Sequence, residues 1–226
     1  MILVFLLKKL REEKEKEKKW LKYWNLPMSD KKQKTLIIGC GAIAYEIKQI
    51  IELNNWENVT LKCLNANLHN HPKKIPEKIQ KIIESNQRNY SKIFLAYADC
   101  GTGGMIDKIV KNYGIQRLKG AHCYEFYSGS NLFRDINSKE IGTFYLTDFL
   151  VKHFDRLVID GLGISKHPHL KKEYFKNYKR VVYLAQNPTT ALKSKAKRCA
   201  DILNLEFSIQ YTGLDELSNQ LKLAEI

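Results

Sequence analysis

Five cysteines occur in the 226 residues, yet no two of them form a C-x₂-C pair. That absence excludes a zinc knuckle written into local sequence, because such sites draw their thiols from closely spaced pairs. Five widely separated cysteines also fail to read as a disulfide framework. There is no G-x-S-x-G elbow and no H-E-x-x-H helix, which removes two common hydrolase designs. No glycine-rich loop ends in Lys-Ser or Lys-Thr, so the chain has no P-loop. No Arg-rich block accompanies the net charge of +14; lysines arrive singly and in pairs. The expectation is a solvated lysine surface and no specific nucleic-acid track.

Long apolar runs are missing too. The N-terminal "MILVFLL" has seven residues, far short of the roughly 20 that cross a bilayer, so no transmembrane segment is expected. Its positive charge follows the apolar run instead of preceding it, which excludes a secretory signal. Residues 1–27 hold eight Lys/Arg against four Glu. We read residues 1–34 as a charged extension, with translation expected to start at Met28. An amphipathic anchor at a membrane surface is the alternative. A cytoplasmic location is expected.

What is present is a regular alternation of short apolar runs and helical periods. "TLIIGC" (35–40), "VTLKCLN" (59–65), "KIFLAYADC" (92–100), "QRLKGAHC" (116–123), "RVVYLAQ" (180–186) and "EFSIQYTG" (206–213) read as strands. Helical stretches lie between them, such as "AIAYEIKQIIELN" (42–54) and "TTALKSKAKRCADILN" (189–204). This order predicts an α/β fold: a Rossmann-like, mostly parallel sheet with helices on both faces. Residues 35–226 are read as a single α/β domain. An aromatic, mostly helical insertion is expected over about 124–179, its aromatics (Tyr124, Phe126, Tyr127, Phe144, Tyr145, Phe149) forming either core or a cover for a planar ligand.

Ligands of parallel sheets bind at the carboxyl ends of the strands. Cys40, Cys100 and Cys123 all fall there, beside glycines, whereas Cys63 and Cys199 read as packing residues. His122 precedes Cys123, His69 follows the second strand in "NLHNHP", and Glu125 lies just beyond Cys123. Thiolates and imidazoles suit zinc or an iron–sulfur cluster. Cys40, Cys100, Cys123 and His69 are therefore the candidate metal ligands, with His122 and Glu125 as candidate catalytic groups. Adjacent residues of an extended strand face opposite ways, so His122 and Cys123 can share an ion only across a turn.

Two glycine-rich loops offer another reading. "GCGAIA" carries Gly39 and Gly41 in the spacing of a dinucleotide fingerprint, but the following "LKCLNANLHNHP" lacks the acidic residue that would hold a ribose. "YADCGTGG" places Gly101, Thr102 and Gly103 ahead of a helix, a geometry that attracts anions and lowers a thiol's pKa. Both loops are candidate cofactor-binding elements.

Taken in order, "GCGAIAYEI", "LHNHP", "YADCGTGG", "GAHCYEFYSG", "GTFYLTDFL" and "YLAQ" resemble the bacterial and archaeal family of domain of unknown function 1638, over about residues 35–213. The resemblance implies hallmark positions at Cys40, His69, Asn70, Cys100, Gly101, His122, Cys123, Glu125 and Thr143. It brings no established reaction, but it implies an association with corrinoid-dependent methyltransferase systems. The resulting expectation is a metal-binding protein of methyl-transfer or one-carbon metabolism. The alternatives are a non-enzymatic accessory protein that binds a corrinoid protein, and an enzyme that uses a nucleotide or S-adenosylmethionine.

Overall fold

The computed structural model describes residues 34–224; the expected extension and the Met28 start lie outside that range. Seven strands form two fully parallel sheets. In the first, β1 (Thr35–Cys40) lies between β2 (Val59–Leu64) and β3 (Lys92–Ala96), and β4 (Gln116–Arg117) pairs with β3. In the second, β6 (Arg180–Ala185) lies between β5 (Thr143–Thr147) and β7 (Glu206–Tyr211). The central strands are continuous apolar runs because helices cover both of their faces. Leu36, Ile37 and Ile38 are completely buried, and each such side chain contributes about 1.5–3 kcal/mol through removal from water.

Among the described residues eight α-helices connect and cover the strands: α1 (Ala44–Leu53), α2 (Ile75–Asn86), α3 (Met105–Tyr113), α4 (Glu125–Lys139), α5 (Asp148–Lys152), α6 (His169–Phe175), α7 (Thr190–Leu203) and α8 (Asp215–Leu223). Helix α1 shows how pattern becomes packing. Ile43, Ile47 and Ile50 recur at helical spacing and bury one face against the first sheet. Glu46 falls within that same stripe and is buried with them.

Two helices tie the sheets together. Helix α4 breaks at Gly129, whose φ of 71° is costly for any residue with a Cβ. Before the break, Phe126 and Tyr127 enter the first core; after it, Phe133 and Ile136 pack on the second sheet beside Tyr145, Val182 and Leu184. Helix α8, the last element, returns Leu217 and Leu221 to the first core.

The parallel α/β architecture agrees with the sequence reading, with two differences. The segment expected to be mostly helical contains β5, which pairs with β6 in register Thr143 to Arg180 through Thr147 to Leu184. Its β-branched and aromatic residues suit a strand, and the helix that starts immediately at Asp148 hides the pattern. Conversely, the strand expected over 116–123 stops at Arg117. Arg117 itself ends it: its guanidinium donates to the Leu118 and Gly120 carbonyls and pairs with Asp107, turning the chain away.

The aromatics of the middle segment are packing residues in this fold. Tyr124 and Phe133 both lean on Tyr145 with ring centroids 5.2 and 5.1 Å away, and Phe144 meets Phe175 edge-on at 5.3 Å.

Candidate functional site

Cys40 ends β1 and caps the short 3₁₀ turn Gly41–Ile43; its sulfur accepts from the Ala42 N–H at 3.5 Å. Cys100 lies in the loop after β3 with a φ of 49°, a left-handed conformation that costs a non-glycine residue about 1–2 kcal/mol. Cys123 lies in the turn that leads into α4, beyond the early end of β4. Two backbone bonds join the latter loops, Cys100 N–H to the Ala121 carbonyl at 3.1 Å and Asp99 N–H to that of Gly120 at 3.4 Å. They bring the Cys100 and Cys123 sulfurs to 3.1 Å. Cys40 is near enough to Cys123 for each thiol to shift the other's pKa. Residues separated by 60 and 23 positions thus form one thiol cluster at the rim of the first sheet.

The cluster is electrostatically uneven. The Cys40 thiol is pulled down to about 7, first by the neighbouring Cys123 thiol, then by the Ala42 N–H and the Tyr97 hydroxyl, against the opposing effect of its burial. Cys123 is pushed up as the hydrogen-bonding partner of Cys100 and Cys40. Burial raises Tyr97, with the adjacent Cys40 adding to it, so the phenol keeps its proton. Its hydroxyl makes no regular hydrogen bond, and its dipole beside Cys40 favours the thiolate. A low-pKa sulfur is suited to binding a soft cation or attacking an electrophile.

His69 sits on the 3₁₀ turn Ala66–Asn70 with an exposed ring, and desolvation together with the charge of His122 lowers its pKa. His69 and His122 therefore share one neighbourhood. The Asn70 amide donates to the Leu157 carbonyl at 3.3 Å, tethering the His69 turn to the segment after α5. His122 and Cys123 do sit in a turn, the arrangement a shared ion requires. Among the described residues no three His, Cys, Asp or Glu side chains stand spaced as a metal cage. The 3.1 Å sulfur contact is shorter than the edge of about 3.8 Å that Zn–S bonds of about 2.3 Å imply in a tetrahedron. The donor chemistry fits a thiophilic metal, and admitting one requires the sulfurs to part by about 0.7 Å.

Glu125 has a positioning role. One carboxylate oxygen accepts from the Ala121 and His122 N–H groups at 2.9 and 3.3 Å, and the other from Ser130. These contacts hold the turn that carries Cys123.

The glycine loops are filled by the protein itself. Asp99 accepts from the Thr102 hydroxyl at 2.7 Å and from the Gly103 and Gly104 N–H groups at 3.2 and 2.8 Å. The Gly103 and Gly104 amides thus face an internal carboxylate, and the Thr102 N–H donates to the Asp99 backbone carbonyl at 3.0 Å. A Cβ on Gly41 would stand 2.7 Å from the Leu64 carbonyl, and one on Gly39 would stand 3.5 Å from the Cys63 sulfur. Gly41 lets the turn after β1 approach the end of β2, whereas a Cβ on Gly39 would make only ordinary packing contacts. Cys63 is exposed on the edge strand, contrary to its expected place in the core, because β2 has a neighbour on one side alone. Its sulfur packs beside Gly39 of β1, and that partial desolvation together with the Cys40 charge raises the thiol to about 11. Cys199 is buried in the second core as expected.

The sequence reading passed over Tyr97 and the acidic residues Glu46 and Asp148. Glu46 had a legible signal, a carboxylate on the apolar stripe of α1. Asp148 lies in "TDFL", directly after β5, and its signal depends on recognising that strand.

Among the described residues no helix is long and apolar enough to cross a membrane. No curated protein and no solved structure matches the chain. The family model described as "Protein of unknown function (DUF1638)" matches residues 63–221, a span that includes His69, Cys100, His122, Cys123 and Glu125 and begins after Cys40. With well over half of its length matched, the chain belongs to that family.

Proposed function

We propose that the protein is a thiolate metal-binding protein in which Cys40, Cys100 and Cys123 hold zinc or the iron of a cluster, with His69 or His122 completing the set. The observation that carries this reading is the 3.1 Å approach of the Cys100 and Cys123 sulfurs from two separate loops, with Cys40 close enough for its pKa to be shifted by Cys123. A structural packing role does not account for a Cys40 thiol drawn down to about 7 or for a Cys100 held in a left-handed backbone, since inert packing cysteines have raised pKa values, as Cys199 does. Bound zinc with an open position supplies Lewis acidity that activates a thiol substrate for methyl transfer. In this reading Glu125 fixes the Cys123 turn and His122 is placed to exchange a proton at the exposed edge. A role in corrinoid-linked one-carbon metabolism is the part of the proposal supported by the family resemblance alone.

Metal content of the purified protein, measured by inductively coupled plasma mass spectrometry, tests the assignment. Stoichiometric zinc or iron is expected in the wild type, and its loss in Cys100→Ser and Cys123→Ser. A wild type that stays metal-free after incubation with zinc, or a Cys100→Ser variant that keeps its metal, overturns it.

A further inference from the structure

A second site lies at the carboxyl rim of the other sheet. Helix α1 from the first half faces the ends of β5 and β6 across a cavity of about 370 Å³. Its lining includes Tyr45 and Glu46 from α1, Asp148 and Lys152 from α5, and Ala191 and Lys195 from the start of α7. Carboxyl ends of parallel strands are where ligands of such folds bind.

Glu46 marks this cavity as a binding site. It is 3% exposed, and its Oε2 has no hydrogen-bond partner among the described residues. A buried acceptor without a donor costs about 1–3 kcal/mol, and a ligand carrying an N–H or ammonium group removes that cost. Asp148, also in the lining, does not compete for such a group. Its oxygens already accept from the Tyr183 hydroxyl at 2.6 Å and from the Gln186 and Asn187 N–H groups at 3.1 and 2.8 Å.

The opposite side of the cavity is positive. Lys152 holds its ammonium 5.4 Å from the centre of the Tyr45 ring, and Lys195 donates to the Lys152 carbonyl at 3.0 Å with two further protons to give. Helix α7 begins here. Its cap Thr189 satisfies the Leu192 N–H, while the first-turn amides of Thr190 and Ala191 have no intrahelical acceptor. Those amides and the lysines attract a carboxylate.

We propose that this cavity binds a small zwitterion of the α-amino-acid class, its ammonium on Glu46 and its carboxylate toward Lys152, Lys195 and the first turn of α7. The apolar faces of Tyr45 and Leu192 leave room for a short side chain. Buried Tyr127 is close enough to feel both Glu46 of this cavity and Cys123 and Cys40 of the thiol cluster. The two sites are nevertheless separable in experiment.

Isothermal titration calorimetry of the intact protein with glycine, L-serine and L-methionine tests the proposal. At least one of the three is expected to bind at a single site. N-acetylation or methyl esterification of that probe is expected to weaken binding about tenfold or more, as loss of a charge-assisted contact does. Glu46→Gln, which preserves shape, and Lys152→Met at the exposed rim are expected to do the same. Cys100→Ser leaves the binding unchanged, so failure of the metal assignment does not remove it. No heat from any of the three probes, or binding indifferent to Glu46→Gln and to acetylation, overturns the proposal.

Discussion

Where β1 and β3 end, three thiols crowd together on loops held by backbone hydrogen bonds; where β5 and β6 end, a carboxylate, an amide and a phenol close a network on themselves. In the second sheet Asp148 accepts three hydrogen bonds, and Gln186 returns one by accepting from the Asp148 N–H at 2.9 Å. Gln186 also donates to the Leu184 carbonyl and to Thr212. That network holds strand ends in place and occupies the Asp148 carboxylate itself, so that Glu46 is the acidic wall left for a ligand in the adjoining cavity. In the first sheet the sulfurs touch one another with weak contacts and keep their coordinating capacity. The difference separates a stabilising rim from a reactive one, although both occupy the same place in a parallel sheet.

The comparison is broken most forcefully at Asp148. Asp148→Ala strands the Tyr183 hydroxyl and the Gln186 and Asn187 N–H groups in a buried site. The expected loss is roughly 3–5 kcal/mol, read from urea denaturation midpoints, because several buried donors lose one acceptor together. Cys100→Ser in metal-free protein is expected to cost no more than about 1 kcal/mol, since a weak thiol contact is exchanged for a hydroxyl one. Equal costs for the two substitutions would show that the thiol cluster is structural after all.

A smaller effect separates the two glycine loops. Gly41→Ala forces a Cβ to 2.7 Å from the Leu64 carbonyl and 3.2 Å from the Ala66 nitrogen. Backbone does not yield as a side-chain tip does, so a loss of about 2 kcal/mol is expected. Gly103→Ala meets no atom within 4 Å and is strained only by its φ of 65°, for about 1 kcal/mol. Thermal denaturation of the two variants checks the order. Its reversal would mean that the first loop is open enough for a ligand to approach Gly41.

Much of this was legible in the sequence. The strands β1, β3 and β6 announced themselves because burial on both faces makes a parallel strand a continuous apolar run. The same logic placed Cys40 and Cys100 at one rim. Cys123 reached that rim for a different reason: β4 is two residues long, and Arg117 and Glu125 shape the turn that delivers its sulfur. No spacing rule contains that information. Cys63 was misjudged because edge and central strands look alike until pairing is known. β5 was hidden by the helix that starts directly after its last residue, and with it the Asp148 network. The cavity depends on a helix of one half facing strand ends of the other, a long-range juxtaposition that periodicity does not encode.

The smallest expected effect concerns Glu46, the buried carboxylate on the apolar stripe of α1. Glu46 is raised above an ordinary carboxylate, first by burial, then by the charge of Asp148, with Lys152 and Tyr127 opposing. A carboxyl whose folded pKa lies above its unfolded value favours the folded state at low pH, and that contribution is lost as pH rises through the folded pKa. Glu46→Gln removes the ionisable group while keeping its shape. The variant is therefore expected to be more stable than wild type near neutral pH, with the gain shrinking as pH falls toward about 4, the ordinary glutamate range. Paired thermal melts between about pH 4 and pH 8, without added amino acid, read the difference directly. A difference that does not change with pH would mean that Glu46 stays neutral over this range or is solvated in the free protein. A variant less stable at neutral pH would mean that Lys152 pairs with Glu46 strongly enough to repay its burial. In that case the positive and negative walls of the cavity satisfy each other, as Asp148 and its partners do, and both ends of the second site would belong with the stabilising rim.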